Sequence, residues 1–167
     1  VGNMYCGTIS QEPMSSDFLA GGNLSYRLDV FREAKPDPRL GRNVSFYWEM
    51  DVGIQVKRLG YKVIFDPQIL VNHYSAPREI AGLRTVNYDG VYWSNYNYGL
   101  LMRKHLSLLR FLTYVIYSLC VGWSGSPGFF YVFVMLFRPL RVQWRNMVFA
   151  SILGRIKGVC AKNASSR

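Results

Sequence analysis

No aspartate or glutamate follows Asp89. The ten acidic residues of this 167-residue chain fall between Glu12 and Asp89, where ten basic residues balance them, so the whole net charge of +10 belongs to what comes after. That second part also carries an uncharged run between Arg110 and Arg138, FLTYVIYSLCVGWSGSPGFFYVFVMLF, with Arg103, Lys104 and Arg110 on one flank and Arg138, Arg141 and Arg145 on the other. Taken whole, the run exceeds the roughly 20 apolar residues that cross a bilayer, but Ser124 to Gly128 divides it into two pieces too short to span. Basic residues on both flanks also argue against a simple crossing, because positive charge favours the cytoplasmic side. The pattern predicts a re-entrant or interfacial membrane hairpin over 111–137, in preference to one kinked span. From Leu140 to Lys157, Val142, Met147, Val148, Ile152 and Ile156 recur among basic residues, the pattern of an amphipathic helix on anionic lipid, so 138–167 reads as a basic amphipathic tail. A soluble helix pair with a nucleic-acid-binding face fits less well. Such proteins interleave basic residues with their aromatics, and here the aromatics of the apolar run are segregated from charge.

The first part of the chain has a different texture. In WEMDVGIQVKRLGYKVIFDPQILVNHY, from Trp48 to Tyr74, helical spacing of Val52, Val56 and Leu59 predicts a short amphipathic helix from Asp51, with Glu49 just ahead of it. Lys57 and Arg58 suit the negative end of its dipole, and Gly60 sits where helices commonly turn left-handed. Lys62 to Phe65 then reads as a strand, Asp66-Pro67 as a turn, and Ile69 to Val71 as a second strand delivering His73. Cys6, Cys120 and Cys160 are odd in number and widely spaced, which indicates neither a disulfide framework nor a zinc site. The chain opens VGNMYCGTISQEP, as if in mid-domain, and Gly21-Gly22 is followed by Asn23-Leu24-Ser25, which is neither a dinucleotide fingerprint nor a P-loop.

The order DFLAGGNLSYRLDVF, then DPRL, then WEMDVGIQVKRLGYKVIFDPQILVNHY resembles the C-terminal half of the catalytic domain of family 2 glycosyltransferases, which have the GT-A fold. In that family a G-N-x-x-x-R segment precedes an acidic motif, E-D-x-D or E-x-D, which opens a helix ending in R-x-G-Y. A D-P turn then leads to a strand closing on His. The resemblance covers residues 17 to 110. It implies an α/β fold, a partial GT-A (Rossmann-like) sheet with flanking helices, to which the apolar and basic patterns add an all-helical membrane-associated C-terminal region. It also implies that Glu49 deprotonates the acceptor hydroxyl, that Asp51 supports the same helix start, and that His73 helps hold a divalent metal, Mg or Mn, on the donor diphosphate. Gly21, Gly22 and Asn23 match the loop on the acceptor side, and Trp48, next to Glu49, is either core or sugar platform. The chemistry agrees, since sugar transfer from a nucleotide diphosphate needs a base for the hydroxyl and a cation for the departing diphosphate. Carboxylates two apart on a helix do not share a face. Glu49 and Asp51 therefore divide their roles, with Glu49 the base and Asp51 the helix cap.

These readings divide the chain into 1–88, the acceptor-side part of a GT-A catalytic domain; 89–110, an aromatic and basic connecting helix; 111–137, the apolar hairpin; and 138–167, the tail. The DxD that grips the nucleotide diphosphate is absent, so a missing N-terminal half of the same domain is an expected partner. The others are a nucleotide-diphosphate sugar, a sugar or lipid-linked acceptor, and membrane lipids at the cytoplasmic face, with no nucleic acid. Tyr88, Tyr92, Trp93, Tyr96 and Tyr98 could stack on sugar rings or sit at the headgroup level, where Trp and Tyr collect. The competing reading is a non-catalytic membrane-associated module that binds a lipid or protein partner, its acids being structural.

Overall fold

In the computed structural model the chain divides near the place where its charge does, into two compact units, Val1–Pro38 with Tyr47–Pro77 and Arg39–Phe46 with Arg78–Arg167. The structure describes residues 11–17, 21–41, 47–71, 87–123, 126–137 and 142–161.

The first unit is built on two helices and a short strand pair. Helix α1 (Leu28–Ala34) turns Val30 and Ala34, four apart, to one face, and α2 (Trp48–Arg58) turns Val52 and Val56 toward them. These four residues and Val63 form the core, with Tyr26, Phe31 and Trp48 packed around it. Strand β2 (Ile64–Phe65) pairs antiparallel with β1 (Met14–Ser15), in the register Met14 opposite Phe65 and Ser15 opposite Ile64. The Lys57 ammonium reaches the Asp17 carboxylate at 2.6 Å, tying the residues after β1 to the end of α2 and holding that carboxyl below its usual pKa.

Helix α2 ends as its sequence predicts. Gly60 takes φ +87°, its N–H bonds to the Lys57 carbonyl at 3.1 Å, and the Tyr61 N–H reaches back to Val56 at 3.2 Å. This pair of bonds is a Schellman termination, for which glycine carries no Cβ penalty. The start differs. The helix begins at Trp48, not Asp51, with Tyr47 left-handed (φ 72°) ahead of it, so Glu49 lies inside the first turn and not before it. The second expected strand is not formed. Asp66 and Pro67 do turn, with Asp66 Oδ1 accepting the Gln68 N–H at 2.9 Å, but Ile69, Leu70 and Val71 are exposed and make no strand.

The second unit is organised by α3 (Tyr88–His105) packed along α6 (Val142–Val159). Asn87 caps α3 by accepting the Gly90 N–H at 2.8 Å, and Arg103, Lys104 and His105 close its last turn, where cations suit the dipole. Close approach of the two helices depends on glycines. A Cβ on Gly154 would overlap the Tyr92 carbonyl, one on Gly158 would overlap the Tyr96 carbonyl, and one on Gly99 would lie 3.2 Å from the Val159 nitrogen. Backbones can meet in this way only where side chains are absent.

Between them, α4 (Leu108–Cys120) leads to a hairpin of β3 (Gly122–Trp123) with β4 (Ser126–Pro127), then to α5 (Phe130–Phe137). The apolar run is therefore broken where Ser124 to Gly128 predicts. Three expectations change. The region after Asp89 is not all-helical, because the hairpin interrupts it. The helix of the apolar run starts at Leu108, ahead of the expected 110/111 boundary. Of the tail stripe expected to lie on lipid, Met147, Val148 and Ile152 are buried within the unit along with Ala150 and Val159, while Phe149, Leu153 and Ile156 face outward. Mixed helix and sheet is what the chain forms, but among the described residues the strands make only two small antiparallel sheets, not a Rossmann-like one.

A buried cation holds the hairpin in place. Arg155 of α6 is fully buried and donates to the carbonyls of Ser118, Ser126 and Pro127 and, through Nε at 3.0 Å, to Asn95 Oδ1. Its guanidinium lies 4.3 Å from the centre of the Trp123 ring. Asn95 in turn donates to the Val91 carbonyl at 2.8 Å and Ser126 Oγ at 2.9 Å, and Ser151 donates to the Pro127 carbonyl at 3.1 Å. Burial pushes the Arg155 pKa down to about 10, with the Tyr114 phenol opposing the shift, so the group is still a cation at neutral pH. Backbone dipoles and an aromatic face supply its compensation, as a buried charge requires.

Candidate functional site

The head of α2 carries both predicted carboxylates, and the fold treats them differently. Asp51 is fully buried, and its Oδ2 accepts the Asp37 N–H and the Gln55 side-chain amide, both at 3.1 Å. It thereby pins the segment after α1 to the first turn of α2. Such an acid holds structure and has no surface to offer a substrate. Glu49, two residues earlier, is only half-buried. The division that helical geometry imposes on carboxylates two apart is therefore visible in their burial.

Glu49 meets the Gly-Gly-Asn loop. The space a Cβ would occupy on Gly21 is filled by the Glu49 carboxylate, with Oε1 in it and Cδ 3.3 Å away. Gly22, at φ +103°, has open space around it and turns the loop. Asn23 then donates from Nδ2 to the Ile69 carbonyl at 3.0 Å, bracing the loop against the residues that follow the Asp66-Pro67 turn. Residues from three separate stretches, Gly21 to Asn23, Glu49 and Ile69, are thus neighbours. Trp48 packs against the Val30, Ala34, Val52, Val56 and Val63 cluster, which favours its core role over a sugar platform. His73 lies outside the described residues.

Sequence reasoning missed Tyr26. It packs on Phe31 with ring centroids 5.2 Å apart, and its hydroxyl is buried with no hydrogen-bond partner among the described residues. Burial first, and the Glu49 charge second, push its pKa up to about 12, so the phenol stays neutral beside the carboxylate. The available signal was its place between Gly-Gly-Asn and the Arg27 that precedes α1. Tyr26 also lines a groove of about 450 Å³, with Ser25, Arg27, Tyr61 and Lys62 and the apolar Val30, Val56 and Val63. Arg27 is held by Asp29 at 2.7 Å and lies 5.9 Å from the centre of the Tyr61 ring.

Among the described residues no group of three or more His, Cys, Asp or Glu side chains is placed to hold a metal ion. Asp51 is committed to Asp37 and Gln55, which leaves Glu49 as the one predicted carboxylate with access to solvent. The residues described here do not by themselves make a cradle for the expected divalent ion. In the second unit, Tyr88, Tyr92 and Tyr96 stack along α3 with centroids 6.5 and 6.4 Å apart, and Trp93 meets Tyr92 and Tyr96 edge-on. Tyr98 is committed elsewhere, edge-on to Tyr114 and Trp123. No protein-family model, curated protein or solved structure matches this chain.

Proposed function

We propose that this chain is the acceptor-side part of an inverting, family 2-like glycosyltransferase of the GT-A type. It works with a nucleotide-binding half at the cytoplasmic face of a membrane. Glu49 is the base. It accepts the proton of the acceptor hydroxyl as that oxygen bonds to the anomeric carbon of a nucleotide-diphosphate sugar, and the sugar–phosphate bond breaks with its electron pair leaving on the diphosphate. The single observation that carries this reading is the meeting of Glu49 with Gly21. A carboxylate in the first turn of α2 lies against Gly21 of the Gly-Gly-Asn loop, so two motifs distant in sequence meet at one spot.

The remaining roles follow from placement. Gly21 leaves room for the carboxylate, Gly22 turns the chain away, and Asn23 fixes the loop to Ile69. Asp51 sets the position of α2 without touching substrate. His73 and a divalent metal, which would take up charge on the diphosphate, belong to the resemblance, and no step here is routed through them. A lipid-linked or polysaccharide acceptor suits a chain whose second unit is basic and rich in exposed apolar residues.

The test is Glu49→Gln in a polypeptide that includes the donor-binding half, assayed by transfer of labelled sugar to a membrane acceptor. Turnover falls by roughly 10²–10⁴-fold, the usual contribution of a positioned base, while the circular dichroism spectrum is unchanged. Near-normal turnover removes Glu49 from the mechanism and favours the second reading, a non-catalytic membrane module. The structural role of Asp51 already fits that reading.

A further inference from the structure

Helix α4 is built inside out. Its fully buried side chain is the polar Ser118, whereas Leu108, Leu109 and Ile116 are 74%, 77% and 65% exposed, and Leu112 is exposed between them. Leu109, Leu112 and Ile116 recur at helical spacing, so they form one stripe. Phe130 and Phe133 of α5 are exposed to a similar degree. An amphipathic helix normally turns its apolar stripe toward a core, and isolated exposed leucines differ from a continuous strip of them.

We propose that the outward face of α4 inserts into an anionic bilayer surface with the helix lying in its plane, the exposed Phe130 and Phe133 of α5 adding apolar area to the same unit. Three observations select this occupant. The first is charge: no acidic residue follows Asp89, Arg110 of α4 is exposed, and so are Arg145 and Lys157 of α6, so the unit as a whole suits anionic headgroups and repels a second basic copy. The second is aromatic content: Tyr117 of α4, Trp123 of β3 and Tyr131 of α5 are exposed, the residue types that collect at the headgroup level. The third is length. With 13 and 8 residues, α4 and α5 reach only about 20 and 12 Å, against the roughly 30 Å of a hydrocarbon core, and no described helix is long and apolar enough to cross it. The surface belongs to the second unit and stands whether or not Glu49 acts as a base.

The experiment is co-sedimentation of the full chain with phosphatidylcholine vesicles, with and without phosphatidylglycerol. It compares the parent chain with the double variant Leu112→Asp, Ile116→Asp, and with the milder Leu112→Gln, Ile116→Gln should the first fail to fold. The parent binds the anionic vesicles. The double variant keeps its circular dichroism and binds roughly a hundredfold more weakly, the loss expected when two aliphatic side chains no longer leave water. Glu49→Gln sediments like the parent, which separates this result from the sugar-transfer test. The proposal is overturned by undiminished binding of the folded variant, by equal binding of the parent to neutral and anionic vesicles, or by no binding at all. It is also overturned if the substitutions convert a lipid-free dimer to monomer, since a second copy would then be the cover.

Discussion

Replacing Gly21 by alanine isolates the position of one carboxylate. The new methyl group would enter the space held by Glu49 Oε1, with Cδ at 3.3 Å and Cγ at 3.8 Å, and all the atoms it meets belong to the end of a flexible side chain. Gly21 is not among the glycines with positive φ, so its backbone accepts alanine without strain. The outcome is therefore a shift of the carboxylate by about 1 Å, at a change in stability within about 0.5–1 kcal/mol, partly offset by the smaller entropy of the unfolded alanine chain. A misplacement of about 1 Å in a catalytic group costs about 10²-fold in rate. The control is its neighbour. Gly22→Ala meets nothing within 4 Å but must hold φ +103°, so it costs roughly 1–2 kcal/mol of stability and leaves Glu49 where it is. Thermal melts and labelled-sugar transfer, run on both variants in the polypeptide that includes the donor-binding half, should separate the two: Gly21→Ala melts like the parent and transfers poorly, and Gly22→Ala melts early and transfers well. A folded Gly21→Ala chain with parental turnover refutes the assignment of this spot as the reacting centre.

Asp51→Ala removes the acceptor for the Asp37 N–H and the Gln55 amide and should lower stability by about 2–4 kcal/mol, against about 1 for Asp51→Asn, which retains an oxygen; urea melts that coincide for the two variants would argue against the role given to Asp51. Arg155→Met keeps an unbranched apolar stem but removes the guanidinium that serves the Ser118 and Ser126 carbonyls and Asn95 Oδ1, the Pro127 carbonyl retaining Ser151, a loss of about 3–5 kcal/mol readable by denaturant unfolding; a midpoint near the parent's would show the clamp to be dispensable. The Tyr26 phenol, isolated by difference against Tyr26→Phe in an ultraviolet titration, should ionise near pH 12, and Glu49→Gln should lower that midpoint part of the way, burial being the larger cause. Because this folded-state pKa is raised, the unfolded chain releases the proton first, so the stability tied to Tyr26 is complete below about pH 10 and is lost as pH rises toward 12. A midpoint near 10 in the folded parent would contradict it.

Local signals in the sequence predict local structure well. The end of α2 at Gly60, the Asp66-Pro67 turn and the break in the apolar run all follow from residues that act on their own backbone. The different burial of Glu49 and Asp51 follows as well, because helical geometry alone forbids them a common face. What stayed hidden depends on partners distant in the chain. The periodicity of α6 says that one side is apolar, but whether lipid or α3 covers it is decided by Gly99, Gly154 and Gly158, whose value lies in backbone approach and leaves no mark in hydrophobic spacing. Arg155 read as one more basic residue for the same reason, since its partners are carbonyls, which every residue has. Tyr47 opens α2 earlier than the capping pattern suggests, in a left-handed turn that a tyrosine does not ordinarily favour.

The seam between α3 and α6 restricts how the second unit can deform. Where carbonyls of one helix rest in the notches left by missing β-carbons on the other, a lengthwise slip would drive peptide oxygens into neighbouring side chains. Rotation about either axis would do the same. The pair should therefore respond to an applied load by separating as a whole, not by creeping. The tyrosines stacked on α3 then keep a constant spacing whatever happens at the far edge of α4, like marks engraved on a ruler.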